Sequence, residues 1–356
     1  MTMKRILVTG AGGNAARNFV ASLRMAEEPF HVVGVDTNPF HLACAEVEAR
    51  RLVPRCDDPG YLDALRTVIA RERIDLVHPQ PDVEVAFLSE HRAEIPARLM
   101  LPSEAAVRTC HDKLACNRVL AAAGVPVPSS YAIRDYADLP DLTDALRAKS
   151  EKIWVRAVRG AGSRAALPVR TSAEAEGWIR YWAANKGLAP SDFMVAEFLP
   201  GKEFAFQSLW HRGALVTSMA RERMEYLFGN LMPSGQSSSP SIARTVHRDD
   251  VNDVGVRAVR AVDDAPHGVY CVDMKENASG EPCVTEINLG RFFTTSNFFS
   301  AAGCNMPYYY VRLAFGEDVP EMPDFNPLDA DLYWVRGVDR APRLFRGDAW
   351  LTKRAA

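Results

Sequence analysis

Short apolar runs alternate with helical patterns over the first hundred residues of the chain. The apolar runs predict strands at residues 4–9, at 31–36, near 50–54 and at 74–78. A helical pattern follows the glycine turn after the first run, and another lies near residues 59–72. Strands that alternate with helices are typical of a parallel sheet covered on both faces. We therefore predict a Rossmann-like first domain over residues 1–102.

The pattern then becomes helical before it is extended again. Residues 103–124 carry helical patterns that end at Gly124, a residue type that commonly follows a helix C-terminus. Extended runs at 152–156 and 165–169 flank a second glycine loop, and a helical pattern follows around 172–186. These features predict a central lobe over residues 103–190.

Runs of alternating polarity joined by short polar turns fill residues 192–288, with a helical pattern near 249–263. Such runs predict antiparallel hairpins. We expect the 152–169 strands to form one layer and the 192–288 strands another. The predicted fold class is α/β followed by α+β, with a C-terminal lobe at 191–320 and an extension at 321–356.

Composition and charge narrow the class of partner. The 356 residues include 47% hydrophobic and 24% charged side chains, and the formal net charge is −3. The chain has no long basic run, so its charge does not favour nucleic acid or an anionic membrane as a partner. It also has no apolar run that reaches the roughly 18 residues of a membrane span. Seven cysteines without C-x-x-C spacing indicate reduced thiols in a cytoplasmic protein. We expect small-molecule partners and leave a homodimer open.

Residues 271–291, CVDMKENASGEPCVTEINLGR, place acidic side chains on a predicted hairpin. Strand side chains alternate between faces, so Glu286 and Asn288 share one face, and a plausible register sets Asp273 opposite Glu286. Facing carboxylates repel unless a cation lies between them. Mg²⁺ or Mn²⁺ would accept these oxygen ligands together with phosphate oxygens. A solvated outer strand face is the alternative.

The first glycine turn, Gly10 to Ala15, fits the pattern G-x-G-x-x-A after a strand, and Asp36 closes the next strand. This spacing is found in dinucleotide sites. Similar turns also hold carboxylates and phosphates at a helix N-terminus. The chain has no Tyr-x-x-x-Lys pair, one common arrangement of NAD-dependent enzymes.

The second glycine loop lies between two predicted strands. Gly160 and Gly162 would let the backbone approach a polyphosphate, while Arg156, Arg159 and Ser163 supply donors and positive charge. The alternative is a hairpin tip with solvated arginines. Further along, Glu197 and Glu203 flank a strand end suited to a purine and to ribose hydroxyls, although both could be surface charges.

Five segments occur in the order HDKLACNRVLAAAGVPVP, VRAVRGAGSR, VAEFLPGKEF, RERMEYLFGNLMPSGQSSSP and CVDMKENASGEPCVTEINLGR. In this order they resemble the ATP-grasp superfamily, within it the carbamoyl-phosphate-synthase-like branch. The resemblance implies an ATP-grasp fold with a Rossmann-like N-terminal domain and ATP held between two lobes with Mg²⁺ or Mn²⁺.

The resemblance also implies roles for individual residues. The phosphate-binding group comprises Lys113, Arg156, Arg159, Gly160, Gly162 and Ser163. Glu197, Phe198 and Leu199 would contact adenine, and Glu203 the ribose. The metal ligands would be Asp273, Glu286 and Asn288. Arg291, Arg156, Ser234 and Ser237 would border the reacting groups. Apart from the resemblance, Gly12, Gly13, Asn14 and Gln80 lie at the carboxyl ends of predicted strands, where open α/β sheets bind ligands. We expect them to contact the acceptor, together with Arg223 and Gly235.

The sequence departs from the family pattern at two positions. Many relatives carry Lys where this chain has Arg156, and a planar guanidinium makes a different phosphate contact. Relatives usually read Glu-x-Asn-Pro-Arg, whereas EINLGR places one more residue before Arg291.

The expected activity is that of an ATP-dependent ligase. A carboxylate would be activated as an acyl phosphate and joined to an amine, with release of ADP and phosphate. A carboxylate kinase or carbamoyl-phosphate-type enzyme, an NAD(P)-dependent oxidoreductase and a non-catalytic nucleotide sensor are the alternatives.

Overall fold

The first hundred residues form a parallel sheet in the computed structural model, which describes residues 3–160, 165–237 and 239–347. Its strand order is β3-β2-β1-β4. The strands are β1 (Lys4–Val8), β2 (Phe30–Asp36), β3 (Ala49–Leu52) and β4 (Leu76–His78). The helices are α1 (Asn14–Arg24), α2 (Pro39–Ala43), α3 (Tyr61–Glu72) and α4 (Asp82–Glu90). The predicted parallel sheet is confirmed.

Helices α5 (Glu104–His111) and α6 (Lys113–Ala122) lead into a small antiparallel sheet with the order β5-β8-β6-β7. Its strands are β5 (Ser130–Ala132), β6 (Ile153–Ala157), β7 (Leu167–Val169) and β8 (Phe193–Glu197). Helices α7 (Leu139–Arg147) and α8 (Ser172–Lys186) pack on one side of it. The side chains on its other side face a cleft.

The position of β8 differs from the sequence expectation. We expected this strand in the layer of the later hairpins, but it pairs with β5 and β6. Phe193 and Val195 pack in the core of the small sheet, whereas Met194 and Ala196 face the cleft. Both faces of β8 are buried, so its polarity pattern could not reveal which sheet it joins.

A larger antiparallel sheet follows, with the order β13-β12-β9-β10-β11-β14-β15. Its strands are β9 (Glu203–His211), β10 (Ala214–Tyr226), β11 (Pro240–Val246), β12 (Gly268–Glu276), β13 (Pro282–Leu289), β14 (Leu332–Gly337) and β15 (Arg340–Arg346). The accompanying helices are α9 (Asp249–Val262), α10 (Asn297–Ala302) and α11 (Met306–Ala314).

Strand alternation divides this sheet into an apolar face and a polar face. Phe204 and Phe206 of β9 pack against α9, and Gly255 lets that helix approach because an added Cβ would lie 2.5 Å from the Phe206 ring. Their neighbour Glu203 points to the opposite side and lines the cleft. The C-terminal extension adds to the same sheet, because β14 pairs with β11.

No helix within residues 3–160, 165–237 and 239–347 is both long enough and apolar enough to cross a bilayer.

Candidate functional site

The cleft lies between the small and the large sheet. The small sheet contributes β6 and β8, and the large sheet contributes β9, β10, β12 and β13. Its walls include the sequence-predicted residues Lys113, Arg156, Glu197, Phe198, Leu199, Glu203, Arg223, Ser237, Asp273, Glu286, Asn288 and Arg291. Most of the side chains singled out from the sequence therefore meet in one place.

The acidic hairpin has the register that the sequence suggested. Asp273 pairs with Glu286 across β12 and β13, and Cys271 pairs with Asn288. Each carboxylate contacts an arginine: Arg156 Nη2 lies 2.6 Å from Glu286 Oε2, and Arg223 donates to Asp273 Oδ1. Guanidinium groups thus supply the positive charge that facing carboxylates require.

Burial and charge act differently on the two carboxyls. Burial raises the pKa of Asp273. The negative charge of Glu286 raises it further, and Arg223 acts in the opposite direction. Burial also acts upward on Glu286, but Arg156 and Lys113 outweigh it and lower its pKa to about 2. Glu286 is therefore an anion at neutral pH.

The donor set fits a hard divalent cation. Asp273 and Glu286 offer carboxylate oxygens and Asn288 an amide oxygen, and Asn288 Nδ2 already donates to Asp273 Oδ2 at 3.3 Å. The described residues contain no group of three or more His, Cys, Asp and Glu side chains arranged for a metal. Mg²⁺ commonly takes one or two carboxylates and completes its shell with water and phosphate. This set suits such an ion better than an all-protein cage.

Basic groups gather at the end of the cleft near Glu286. Lys113 Nζ donates to Gly160 O at 2.6 Å and lies 3.9 Å from Glu286 Oε2. Burial lowers the pKa of Lys113, against the attraction of Glu286. Arg159, by contrast, has a 79% exposed side chain paired with Asp112. The predicted residues Gly162 and Ser163 lie outside the described ranges.

Glu203 forms a hydrogen-bonded cluster at the other end. Its Oε1 accepts from Lys275 Nζ at 2.7 Å and from Gln236 Nε2 at 2.6 Å, and its Oε2 accepts from the Tyr226 hydroxyl. Burial raises the pKa of Glu203, but Lys275, Tyr226 and Arg223 together outweigh it, so the net pKa is lowered. Glu203 is an anion fixed in position at the edge of the cleft.

The connection from β8 to β9 borders the same end. Glu197 Oε2 accepts from the Ser129 backbone amide at 3.3 Å. The Phe198 ring has Lys152 Nζ at 5.6 Å and Lys275 Nζ at 5.7 Å from its centroid. Leu199 is buried. This segment presents apolar surface and backbone groups to the cleft.

The predicted serine turn is internally bonded. Ser237 Oγ donates to Leu227 O at 2.8 Å, and Ser234 Oγ accepts from the Gln236 amide at 3.3 Å. Ser234 and Gly235 line a groove that adjoins the cleft, while Ser237 lines the cleft itself. The turn places Gln236 against Glu203.

Arg291 joins the hairpin to the N-terminal sheet. Its Nη2 donates to Asn288 Oδ1 at 2.8 Å and to Asp82 Oδ2 at 3.1 Å, and its Nε contacts Asp82 Oδ1. The extra residue in EINLGR is accommodated at Gly290, whose φ of +73° belongs to the left-handed region. Arg291 therefore reaches the cleft despite its shifted sequence position.

The predicted acceptor residues of the N-terminal turn are not brought into the cleft. Within the described part of the chain, Gly12, Gly13 and Asn14 are absent from its walls. The Gly12 amide donates to Asp36 Oδ2 at 3.0 Å, and a Cβ on Gly12 would lie 2.4 Å from the His41 carbonyl carbon. Helix α2 therefore packs directly against the turn at Gly12.

Gln80 is also away from the cleft. It is buried, and its Nε2 lies 3.0 Å from His78 Nε2. Two residues on, Asp82 forms an ion pair with Arg291 and so connects this loop with the site.

Sequence reasoning missed several cleft residues. Arg221 precedes Arg223 by two positions on β10, and the alternation of strand side chains could have placed both on the face that lines the cleft. Lys275 follows Asp273 in the same way. Tyr226 and Gln236 gave no comparable signal, because their approach to Glu203 depends on the fold of the serine turn.

Comparison with known families agrees with this architecture. A family model described as ATP-grasp domain matches residues 110–295, more than half of the chain, and one described as PylC-like, N-terminal domain matches residues 6–98. The chain belongs to the ATP-grasp family. The matched ATP-grasp segment runs from α5 to the turn after β13 and contains the whole acidic hairpin.

Curated relatives of this ATP-grasp chain are distant. It is 22% identical over 363 residues to the methylcrotonoyl-CoA carboxylase subunit alpha, mitochondrial, of Mus musculus and to that of Rattus norvegicus. The alignments cover 94% of this chain and 47% of each relative. The chain thus spans about half the length of the curated relatives it matches.

Solved structures share the fold at low identity. An L-amino acid ligase from Bacillus licheniformis superposes with a TM-score of 0.69 at 15% identity, over 93% of this chain and 78% of that one. A carboxyaminoimidazole ribonucleotide synthase from Aspergillus clavatus, complexed with ATP, superposes with a TM-score of 0.69 at 15% identity, over 94% of this chain and 81% of that one. A biotin carboxylase from Campylobacter jejuni superposes with a TM-score of 0.70 at 13% identity, over 94% of this chain and 75% of that one.

Proposed function

We propose that this protein is an ATP-dependent ligase that activates a small carboxylate as an acyl phosphate and joins it to an amine. The observation that carries the proposal is the meeting of metal-type ligands with phosphate-type cations in one cleft. Asp273, Glu286 and Asn288 lie beside Arg156, Lys113 and Arg291. Solved structures of the same fold include enzymes named as amino acid ligase and ribonucleotide synthase.

The chain's own residues would position the nucleotide. Lys113 and Arg156 would contact its phosphates, Glu203 its ribose hydroxyls, and the 197–199 segment its adenine. Asp273, Glu286 and Asn288 would hold Mg²⁺ or Mn²⁺, which when bound offsets negative charge on the β- and γ-phosphates. The phosphates would also accept hydrogen bonds from Arg156 and Arg223. On nucleotide binding these arginines would therefore donate to phosphate oxygens instead of to carboxylate oxygens.

The proposed reaction has two steps. A carboxylate oxygen attacks the γ-phosphorus in line, the bond to the β–γ bridging oxygen breaks, and ADP leaves. The amine nitrogen then attacks the acyl carbon, its C–O bond to phosphate breaks, and the amine proton passes to solvent. Arg291 would orient the transferring group, so positioning and electrostatics carry the catalysis without a side-chain nucleophile.

The decisive experiment measures ADP release from Mg·ATP against a panel of carboxylates, with and without added amines. We expect release that depends on a particular carboxylate and an amide product that depends on an amine. Carboxylate-dependent release without any need for amine would indicate a kinase. Nucleotide binding without turnover on any acid would indicate a sensor and would contradict the ligase.

A matched pair of variants ties the activity to the cleft. Glu286→Gln should lower kcat by about 100-fold or more, because it removes an anion that positions the metal and Arg156. Glu281→Gln, on the exposed turn of the same hairpin, should retain full activity. Full activity of Glu286→Gln in that assay would end the metal assignment.

A further inference from the structure

Two arginines near the cleft have no acidic partner within residues 3–160, 165–237 and 239–347. Arg221 on β10 is only 1% exposed, and Arg336 on β14 is half-buried. Among the residues that the structure describes, neither has a carboxylate within ion-pair distance, although Arg223 and Arg156 each have one. The Nε atoms of Arg221 and Arg336 are both buried and lack a hydrogen-bond partner in the described ranges.

Strand register places these guanidiniums on one face of the sheet. Arg223 pairs with Ala243 of β11, and Ala243 pairs with Trp334 of β14. Because side chains alternate, Arg221 and Arg336 lie on the same face as this row. On that face Arg221 and Arg223 of β10 line the cleft, whereas Ala243 and Trp334 pack in the neighbouring hydrophobic core.

A single segment after β13 contacts both groups. Arg336 Nη1 donates to Thr294 O at 2.9 Å, and Arg221 Nη1 contacts the Thr295 hydroxyl. The Arg221 guanidinium also lies 3.7 Å from the centroid of the Phe293 ring. Phe293 and Thr294 line the cleft together with Arg221. Arg221 thus lines the cleft directly, and Arg336 reaches the same wall from behind through its contact with Thr294.

A buried cation without a counter-ion is costly, and proteins usually pair such groups. Burial, followed by the repulsion of Arg223, lowers the pKa of Arg221 to about 9, and burial lowers that of Arg336 as well. An anion between the two groups would relieve this cost and satisfy both free Nε–H donors.

We infer that Arg221 and Arg336 bind an anionic group, a carboxylate or a phosphate, which the acid substrate carries in addition to the carboxylate that is activated. The inference rests on the proposed function and names its substrate class, an acid with a second anionic group.

The order of the strands sets this anion to one side of the acidic hairpin. The acidic strand β12 and the arginine strand β10 are separated by β9, which places their backbones about 10 Å apart. Ala205 of β9 pairs with both Asp273 and Arg221, and its small side chain leaves the interval open. Arg336 lies still farther from the acidic hairpin, beyond β11. A substrate with an anion at each end matches this layout.

The first test measures anion binding. Wild-type protein saturated with Mg·ATP is heated with inorganic phosphate, succinate or butyrate, and the melting temperature is recorded. We expect phosphate and succinate to raise it more than butyrate does. Arg336→Gln should abolish this difference, whereas Arg343→Gln, at an exposed position on β15, should preserve it. Equal behaviour of the two variants, or no preference in the wild type, overturns the inference.

The second test uses turnover on paired acids that differ in one anionic group. With butyrate, succinate and 3-phosphonopropionate as substrates, Arg336→Gln should raise KM for the dianionic acids by about tenfold or more, since a charge-assisted hydrogen bond is lost. KM for ATP and for butyrate should stay unchanged. A lower KM for succinate than for phosphonopropionate would identify a carboxylate as the second anion, and the reverse a phosphate.

Failure of the inference and failure of the proposed function give different results. If Mg·ATP neither stabilises the protein nor is hydrolysed with any acid, the ligase proposal fails. If Mg·ATP binds and is turned over while Arg336→Gln leaves every anion effect intact, only the second-anion site fails. Arg336→Lys, which keeps the charge, should restore part of the succinate effect in the melting assay.

Discussion

At the scale of single residues, arginines in the cleft each donate to a particular carboxylate or carbonyl oxygen. Arg156 donates to Glu286 Oε2 at 2.6 Å and to Thr285 O at 3.3 Å. A lysine can occupy the same space but cannot make both contacts with fixed geometry. Arg156 therefore makes two directed contacts that a lysine at this position could not make.

Arg156→Lys should raise KM for ATP by about three- to tenfold, because one of two planar contacts is lost while the charge is kept. Steady-state ADP release at varied ATP measures this. Arg170→Lys, which changes an exposed arginine, is the control and should leave KM as it is. An unchanged KM in both variants would show that Arg156 does not help to bind the nucleotide.

The sequence predicted the residues whose placement depends on local alternation. Asp273, Glu286 and Asn288 lie on one hairpin, so a short turn and a period of two were enough to bring them together. Arg221 and Arg336 could not be paired in this way. They meet only because β10, β11 and β14 become neighbours, which no local pattern in the chain encodes.

At the scale of elements, the first glycine turn shows how one motif can serve packing. Glycine at position 12 lets α2 approach β1, and the turn amide is used by Asp36. In a dinucleotide-binding protein with the same glycine pattern, the turn amide and the space beside the glycine would be available to the ligand. The sequence could not distinguish these uses, because the difference lies in the distance to His41.

Gly12→Ala should destabilise the fold by about 1–3 kcal/mol, because the new Cβ meets backbone atoms that cannot move freely. Urea unfolding measures the loss. Gly177→Ala lies in α8 with nothing within 4 Å of the added Cβ, and it should stabilise by about 0.5–1 kcal/mol. KM for ATP should stay at the wild-type value in both variants. A selective rise of KM in Gly12→Ala would return this turn to the binding site.

At the scale of the whole molecule, His78 marks a joint between the N-terminal sheet and the last helices. Its ring stacks on Phe19 of α1 at 4.0 Å and meets Tyr310 of α11 edge-on at 5.0 Å. Phe292, directly after the acidic hairpin, lies 5.7 Å away. Full burial lowers the pKa of His78 to about 3, so the imidazole is neutral in the folded protein.

This joint should weaken in acid. Between the ordinary pKa of 6.5 and the folded value of about 3, the unfolded chain binds a proton that the folded chain does not. The free energy of unfolding should thus fall as pH falls, by about 2 kcal/mol at about pH 5. Urea unfolding at about pH 7.5 and about pH 5 measures the difference.

His78→Phe provides the comparison, because it keeps an aromatic ring that cannot be protonated. Its free energy of unfolding should change less between the two pH values than that of the wild type. His41→Phe, at an exposed position of α2, should follow the wild type. An equal pH response in His78→Phe and wild type would rule out His78 as the source.

The strand β14 has a consequence for attempts to exchange parts of this protein with a relative. The segment that matches the ATP-grasp model ends at residue 295, and Arg336 lies beyond it, on a strand that pairs with β11 inside it. A chimera built by grafting only the matched segment into a relative would carry the acidic hairpin with it. It would inherit the host's residue at the position facing Arg221, so nucleotide use and choice of acid would come from different parents.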